Sequence, residues 1–326
     1  MQIRPFELDE LRFAWCNRIY LRTRTHWRNP IPKLSALTNE VLADLLEPYQ
    51  LHVLETATND IEACFLLSLN PRESAATAVS KTKGRISKWL NIDSELSSPK
   101  TLSRGYFACT IGKATAQAVD AYLRNQSEHD GYADRPNPPV FLRSFQHNDI
   151  IQKTVQTDHA VSSLRYHVVL ASWFRQGVFD AIAAESVSKV WIERQRANRF
   201  LLEKVSFLPD HVHVAISIHP SQSPSAVVLE LMNAAQERMW REFAHLVIRA
   251  KAERLWQASA YIGSFGDLTS NAVSGYLKRW SLKNRECAQR FVATDLSTKP
   301  KEPSGEPMGF FCQSRWLASP GIAVCL

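Results

Sequence analysis

Two histidines separated by one residue, His211 and His213, form the part of the sequence best suited to holding a metal ion. They lie in segment 207–220, FLPDHVHVAISIHP, whose valine and isoleucine content predicts a strand. Alternate residues of a strand point to the same face of a sheet, so both imidazoles are expected to project together. At that separation they can hold one divalent cation between them. Asp210 and Val212 are expected on the opposite face.

A second pair with chemical potential is Tyr122 and Gln126, on a predicted helix. One helical turn separates them, so both side chains lie on one face and can enter a single pocket. A similar helix carries Tyr276, followed four residues later by Trp280. A lone His-x-His pair or a lone helix tyrosine is common in proteins. The elements around these residues therefore decide their interpretation.

The chain contains two similar halves. The segment FLLSLNPRES at 65–74 parallels VAISIHPSQS at 214–223. A second set of matches has the same internal spacing in both halves: Gly112, Thr115, Ala118, Val119, Tyr122 and Leu123 against Gly266, Thr269, Ala272, Val273, Tyr276 and Leu277. Two matches in the same order, at nearly the same distance along the chain, indicate a tandem duplication.

Each half alternates strand-like and helix-like stretches with short connections, which predicts an α+β fold with antiparallel sheets and helices packed on one face. We expect a first domain at 1–135 and a second at 163–290. Pro136, Pro138 and Pro139 interrupt regular structure and indicate a linker over 136–162. The remaining stretch, 291–326, is predicted to be a proline-containing linker followed by an apolar tail.

Composition narrows the class of protein. The formal net charge of +7 suits a polyanionic partner. None of the six cysteines forms a CxxC pair or has zinc-finger spacing, which is typical of free thiols in a reducing compartment. No apolar run reaches the length of a membrane span, and the start of the chain is too charged for a signal peptide. We therefore expect an intracellular, cytoplasmic protein without a membrane partner.

An ordered series of short motifs runs through the second half. It comprises Tyr166-His167-Val168-Val169, Asp210 to His213, Pro220 with Ser223, Leu255-Trp256, Gly266 with Thr269, and Tyr276-Leu277. In order and spacing, most of residues 160–282 resembles the single-tyrosine HUH transposases, of the "insertion sequence two hundred" type and the related REP-associated type. Residues 11–132 resemble the same family more faintly.

The resemblance implies two tandem ferredoxin-like or RRM-like HUH domains and a nucleoid-associated enzyme. Such an enzyme cleaves and rejoins single-stranded, hairpin-containing DNA through a 5′-phosphotyrosine, with Mg²⁺ or Mn²⁺ as cofactor. Family members are homodimers in which the tyrosine helix of one subunit serves the histidine pair of the other. A fused duplication is therefore expected to form a pseudo-dimer; any higher oligomer stays open.

The halves depart from the family pattern in complementary ways. In the second half Trp280 replaces the family's glutamine, and in the first half Glu62, Ala63 and Cys64 replace the histidine motif. The resemblance thus implies one composite active site, in which His211, His213 and Gln126 hold the metal and Tyr122 is the nucleophile. The alternative is Tyr276 acting in cis on the histidines of its own half.

A basic helix in the first half is the candidate for contact with DNA. Its cations are Lys81, Lys83, Arg85 and Lys88, and Gly84 follows Lys83 as in the family's Lys-Gly pattern. Such a helix can also be an ordinary solvated face. If it binds DNA, these side chains should contact phosphates and make the affinity depend on salt.

Two other functions remain open. One is a domesticated DNA-binding protein that has lost catalysis, consistent with the degenerate first half. The other is a replication-initiator-like nickase, which should carry a helicase or origin-binding segment that the sequence does not contain. An intact histidine pair together with a complete tyrosine-glutamine helix favours an active transposase.

Overall fold

The computed structural model describes residues 4–92, 101–112, 115–124 and 139–267, all within one compact unit. The strands are β1 (Arg12–Cys16), β2 (Arg18–Arg24), β3 (His52–Thr58), β4 (Glu62–Ser68), β5 (Tyr106–Ile111), β6 (Phe141–Ser144), β7 (Ala160–Ser163), β8 (Arg165–Ser172), β9 (Phe200–Leu208), β10 (His211–Ile218) and β11 (Trp256–Phe265). The helices are α1 (Pro32–Ser35), α2 (Asn39–Leu46), α3 (Ala75–Asn91), α4 (Ala116–Arg124), α5 (Asp149–Gln152), α6 (Ala181–Gln195), α7 (Pro224–Glu242) and α8 (Ala244–Arg249).

The strands form two sheets. One has the order β1-β11-β8-β10-β9-β6 and the other β3-β4-β2-β5-β7. All pairings are antiparallel except β1 with β11 and β5 with β7. The predicted α+β class with antiparallel-rich sheets is thus confirmed.

Apolar alternation along β8 explains how the six-stranded sheet is covered. Tyr166, Val168 and Leu170 are buried in the same core as α6 and α7. Trp191 of α6 and Trp256 of β11 are fully buried, and their indole N–H groups donate to backbone carbonyls of α7. Burying aromatic rings while satisfying their polar atoms fixes both helices against this face.

The two halves exchange strands. β1 is separated from β2 by one residue, yet it pairs with β11 of the second half. β7 is separated from β8 by one residue, yet it pairs with β5 of the first half. The described part of the predicted linker is accordingly structured, since it contains β6 and most of β7. The domain boundaries themselves stay a prediction.

Strand registers match between the halves. In the five-stranded sheet Arg22 of β2 lies opposite Cys64 of β4. In the six-stranded sheet Val169 of β8 lies opposite His213 of β10. These pairings align Glu62-Ala63-Cys64 with His211-Val212-His213, as the duplicated segments predict.

Contacts between the halves come in reciprocal pairs. Near the sheet ends, Arg18 N donates to Ser264 Oγ at 2.9 Å, and Arg165 N donates to Thr110 Oγ1 at 2.8 Å. At the starts of the long helices, Ala76 N donates to Pro220 O at 2.8 Å, and Ser225 N donates to Pro71 O at 3.0 Å. Each of these contacts made by the first half therefore has an equivalent made by the second.

Gly266 lies where the two halves cross, bridged to Thr115. A Cβ at this position would be 2.3 Å from the carbonyl oxygen of Thr110. We expect Gly266→Ala to lower the free energy of unfolding by about 2–3 kcal/mol because backbone must shift. Urea denaturation measures this, with Gly84→Ala as control, since no atom lies within 4 Å of that added Cβ. Equal stability of the two variants would contradict the crossing geometry.

Candidate functional site

His211 and His213 lie on one face of β10, and both side chains are buried. Their ring centroids are 5.0 Å apart. Val212, between them, is in the main core on the opposite face. The alternation expected of a strand therefore brings the two imidazoles together.

A third histidine joins this pair. His167 of β8 stacks on His213 with an interplanar angle of 16°, and its Nε2 is 3.0 Å from Nδ1 of His213. Burial lowers the pKa of His167 to about 4. Burial, together with the neighbouring His167 and His211, lowers the pKa of His213 to about 2. Both rings are neutral near pH 7, which is the protonation state that binds metal ions.

Asp210 contradicts the expectation that it faces away from the histidines. Its Oδ1 is 2.6 Å from Nδ1 of His211, and its Oδ2 is 2.9 Å from Nε of Arg175. Burial opposes ionisation, but the His211 hydrogen bond and the charge of Arg175 hold the pKa of this carboxyl below its usual range. Strand alternation fails here because Asp210 belongs to the turn before β10.

The donor chemistry of this face fits a divalent metal. A metal-binding histidine uses one ring nitrogen, while the other is oriented by a hydrogen bond, often to a carboxylate. Nδ1 of His211 and Nδ1 of His213 both have such partners. Nε2 of each ring would then be the ligating atom. Among the residues that the structure describes, no group of three or more His, Cys, Asp or Glu side chains is arranged to hold a metal.

Helix α4 comes from the first half but packs on the second half's sheet. Val119 and Leu123 form a small cluster with Ala215 and Phe265. Ala215 follows His213 by two residues in β10, so the helix covers the face that carries the histidines. The sequence predicted helices on one face only; strand exchange adds α4 to the other face of this sheet.

Tyr122 belongs to α4, one residue before Leu123. Gln126 and Tyr276, the other predicted members of the site, lie outside the described residues, as does Trp280. The roles assigned to Tyr122, Gln126 and Tyr276 therefore stay predictions.

The comparisons with known proteins identify the family of the chain. A family model described as "Transposase IS200 like" matches the chain twice, over residues 23–126 and 160–279, which together exceed half its length. The chain belongs to the IS200-like transposase family. Its first match covers the degenerate motif and Tyr122, and its second covers the histidine pair.

Two relatives illustrate the similarity of this IS200-like transposase to others. The ISDra2 transposase TnpA of Deinococcus radiodurans is 24% identical over 118 residues, which are 36% of this chain and 84% of the relative. The crystal structure of a candidate transposase from Deinococcus radiodurans is 22% identical, with a TM-score of 0.31. That match covers 44% of this chain and 98% of the other.

The matching position in the first half of this transposase has different chemistry. Glu62 replaces His211, and both its carboxylate oxygens lie within 2.8 Å of Arg22 Nη2. Arg24 is 3.8 Å from the same carboxylate. Cys64 replaces His213, and burial raises the pKa of its thiol to about 11, so it stays protonated. Two guanidinium groups and a neutral thiol do not favour a divalent cation.

The predicted DNA-binding cations of this transposase lie on α3. Lys81 Nζ pairs with Glu73 at 2.8 Å. Lys83 Nζ donates to the carbonyl oxygen of Ser103 at 2.6 Å, and burial lowers the pKa of this lysine to about 8. Both amines are therefore engaged within the protein.

Arg85 also has an internal partner, because its Nε donates to the carbonyl oxygen of Leu45 at 3.3 Å. Lys88 is the exposed member of the set. Contact of this helix with DNA stays a prediction, and Lys88 is best placed to make it.

Three residues at the site were missed by reasoning from sequence: His167, Asp210 and Arg175. His167 lies in the Tyr-His-Val-Val motif, whose position in the series of motifs was the available signal. Asp210 directly precedes the histidine pair, but a period of two assigned it to the wrong face.

Among the helices that the structure describes, none has the length and apolar character needed to cross a membrane.

Proposed function

We propose that this transposase cleaves and rejoins single-stranded DNA at one composite active site. His211, His213 and Gln126 would hold Mg²⁺ or Mn²⁺, and Tyr122 would be the nucleophile. The observation that carries the proposal is the packing of Val119 and Leu123 against the histidine-bearing face. The tyrosine helix of the first half is thereby next to the metal-binding pair of the second.

The bound cation would offset the charge that develops on the scissile phosphate. Tyr122 would lose its phenolic proton to solvent and attack phosphorus, forming a tyrosine–phosphate bond. The bond from phosphorus to the 3′ oxygen breaks, and that oxygen leaves as a free 3′-OH. A second 3′-OH then reverses the step. Because the tyrosine–phosphate bond conserves the free energy of the phosphodiester bond that breaks, no nucleoside triphosphate is required.

The composite site rests on a pseudo-dimer of the two halves. Support comes from the exchanged strands β1 and β7 and from the reciprocal hydrogen bonds across the crossing. Two equivalent composite sites would exist in such an arrangement. The one built on Glu62 and Cys64 has an ion pair where the cation would bind, so a single working site is expected.

A domesticated DNA-binding protein is the second candidate function. The Arg22–Glu62 ion pair favours it, because this pair has replaced a metal site in one half. The intact set of His167, Asp210 and Arg175 around the other histidine pair favours the enzyme. Such supporting hydrogen bonds are needed for catalysis and not for binding DNA.

The two functions are distinguished with hairpin-bearing single-stranded DNA labelled at its 3′ end, which stays with the fragment that a 5′-phosphotyrosine would hold. With Mg²⁺ or Mn²⁺ we expect a covalent adduct that survives denaturation, and none with EDTA. Adduct formation that is unaffected by EDTA would contradict the metal-dependent mechanism. Tight binding without adduct, across a panel of hairpins, would favour the domesticated protein.

Asp210→Asn should weaken metal binding while leaving the fold intact. The amide is uncharged, so it orients His211 less strongly and no longer pairs with Arg175. Loss of such a partner costs about 10–100-fold in metal affinity. Titration with Mn²⁺ measures this, and Asp149→Asn, an exposed position on α5, is the control. Equal affinities for the two variants would show that Asp210 does not support a ligand.

A further inference from the structure

Two exposed aromatic residues occupy equivalent turns in the two halves. Trp27 follows β2 and is 82% exposed, while Phe174 follows β8 and is 72% exposed. Each ring contacts its preceding neighbour edge-on, His26 in one turn and Trp173 in the other. Because these rings remain exposed to water, burial contributes little free energy at either position. Packing in the core therefore does not explain why both residues are aromatic.

Both aromatic residues have an unusual backbone conformation. Trp27 has φ of 54° and Phe174 has φ of 48°, in the left-handed region that bulky residues rarely adopt. The following residues, Arg28 and Arg175, are left-handed as well, with φ of 58° and 57°. Glycine would relieve this strain, yet both halves have an aromatic residue followed by arginine. Strained, non-glycine turns of this kind concentrate at binding sites.

In each turn the residue that follows the aromatic one is an arginine. Arg175 has a half-exposed guanidinium that contacts Asp210. In the other turn Arg28 is exposed, and burial, together with the charges of Arg28 and Arg22, lowers the pKa of Arg24. A flat apolar surface next to a cation is complementary to an unpaired nucleotide, with its planar base and anionic phosphate.

We propose that Trp27 and Phe174 are stacking platforms for two unpaired bases of single-stranded DNA, with Arg28 and Arg175 near the adjacent phosphates. The inference rests on the proposed function and adds the surfaces that would hold the substrate. Bases within a duplex already stack on each other, so these rings select unpaired strands.

The two platforms should differ in their effect on the reaction. Phe174 adjoins Arg175, which contacts Asp210 and through it His211. A base on Phe174 therefore lies near the scissile phosphate and affects its placement. Trp27 lies in the corresponding turn of the degenerate half, where Glu62 pairs with Arg22 and no metal site is expected. A base there contributes to binding alone.

Fluorescence anisotropy with a labelled single-stranded oligonucleotide tests the proposal. Trp27→Ala and Phe174→Ala should each weaken binding about 10-fold, while Trp27→Phe and Phe174→Tyr should stay near wild type. Ile182→Ala is the control, because Ile182 is an exposed apolar residue, 70% exposed, on α6. Affinity for a duplex of the same sequence should change less than 2-fold, because paired bases stack on each other and not on the protein.

In the adduct assay at saturating DNA, Phe174→Ala should be slowed more than Trp27→Ala, and the control Ile182→Ala should react at the wild-type rate. If both alanine variants bind DNA with wild-type affinity, the stacking proposal is overturned. The proposed function is judged separately, from adduct formation by the wild-type protein in the same assay. A change in self-association on size-exclusion chromatography, with unchanged DNA affinity, would assign the turns to protein contact instead. If the wild type neither binds nor cleaves single-stranded DNA, the proposed function fails together with this inference.

Discussion

Tyr122→Phe should abolish the covalent protein–DNA adduct and lower cleavage by about 10³-fold or more, because the nucleophilic oxygen is lost. Tyr276→Phe should retain adduct formation. The reason for the asymmetry is that α4, which contains Tyr122, packs on the histidine-bearing face through Val119 and Leu123. Denaturing gel electrophoresis with labelled DNA measures both variants.

The pair of variants is its own control. Both remove one phenolic oxygen from a tyrosine, so a general loss of stability should affect them similarly; thermal unfolding checks that each is folded. Loss of adduct in Tyr276→Phe alone would show that Tyr276 acts in cis on the histidines of its own half. Loss in both would show that neither the composite nor the cis arrangement is sufficient by itself.

His213→Ala should lower metal-dependent cleavage on the order of 10³-fold, because a metal ligand contributes several kcal/mol to stabilising the transition state. The change also removes Nδ1 of His213, which is the hydrogen-bond partner of Nε2 of His167. Single-turnover cleavage over a range of Mn²⁺ concentrations separates weaker metal binding from slower chemistry. We expect partial recovery at high Mn²⁺ if the other ligands remain in place.

His147→Ala is the matched control for that experiment. Its Nε2 contacts the carbonyl oxygen of Leu202 at 2.8 Å, so it too is a histidine engaged within the fold. It belongs to the segment after β6 and not to the histidine-bearing face. Equal losses in His147→Ala and His213→Ala would point to destabilisation of the fold and contradict a metal-ligating role for His213.

Local pattern was sufficient to predict the main elements of the site. A period of two placed His211 and His213 together, and the internal repeat aligned them with Glu62 and Cys64 in the correct register. Both inferences depend on neighbours along the chain. They succeed because side-chain alternation and strand length are properties of the local backbone.

Except for that of Asp210 with His211, the contacts that the sequence did not predict join residues distant in sequence. β1 and β7 are short, and their partners are determined by the crossing of the two halves, which strand propensity does not encode. Asp210 turns toward His211 because a turn ends the alternation. The amine of Lys83 reaches the backbone of Ser103, a contact visible only in three dimensions, and its predicted contact with DNA stays a prediction.

The contrast between the two halves also bears on how the single site arose. Arg22, Arg24 and Glu62 form a compact charged group, in which two guanidinium groups compensate the half-buried carboxylate at the position that matches His211. In the second half, Asp210 and His167 orient the two histidines. Specialisation of the halves therefore explains the pattern better than uniform decay.

The site of covalent attachment tests the central claim most directly. Wild-type protein is reacted with hairpin-bearing single-stranded DNA and Mn²⁺, treated with nuclease, and digested with trypsin for mass spectrometry. Cleavage after Lys113 and Arg124 gives the peptide ATAQAVDAYLR with Tyr122, whereas Tyr276 falls in a separate peptide ending at Lys278. The composite site predicts the nucleotide on Tyr122. A nucleotide on Tyr276, with Tyr122 unmodified, would contradict it.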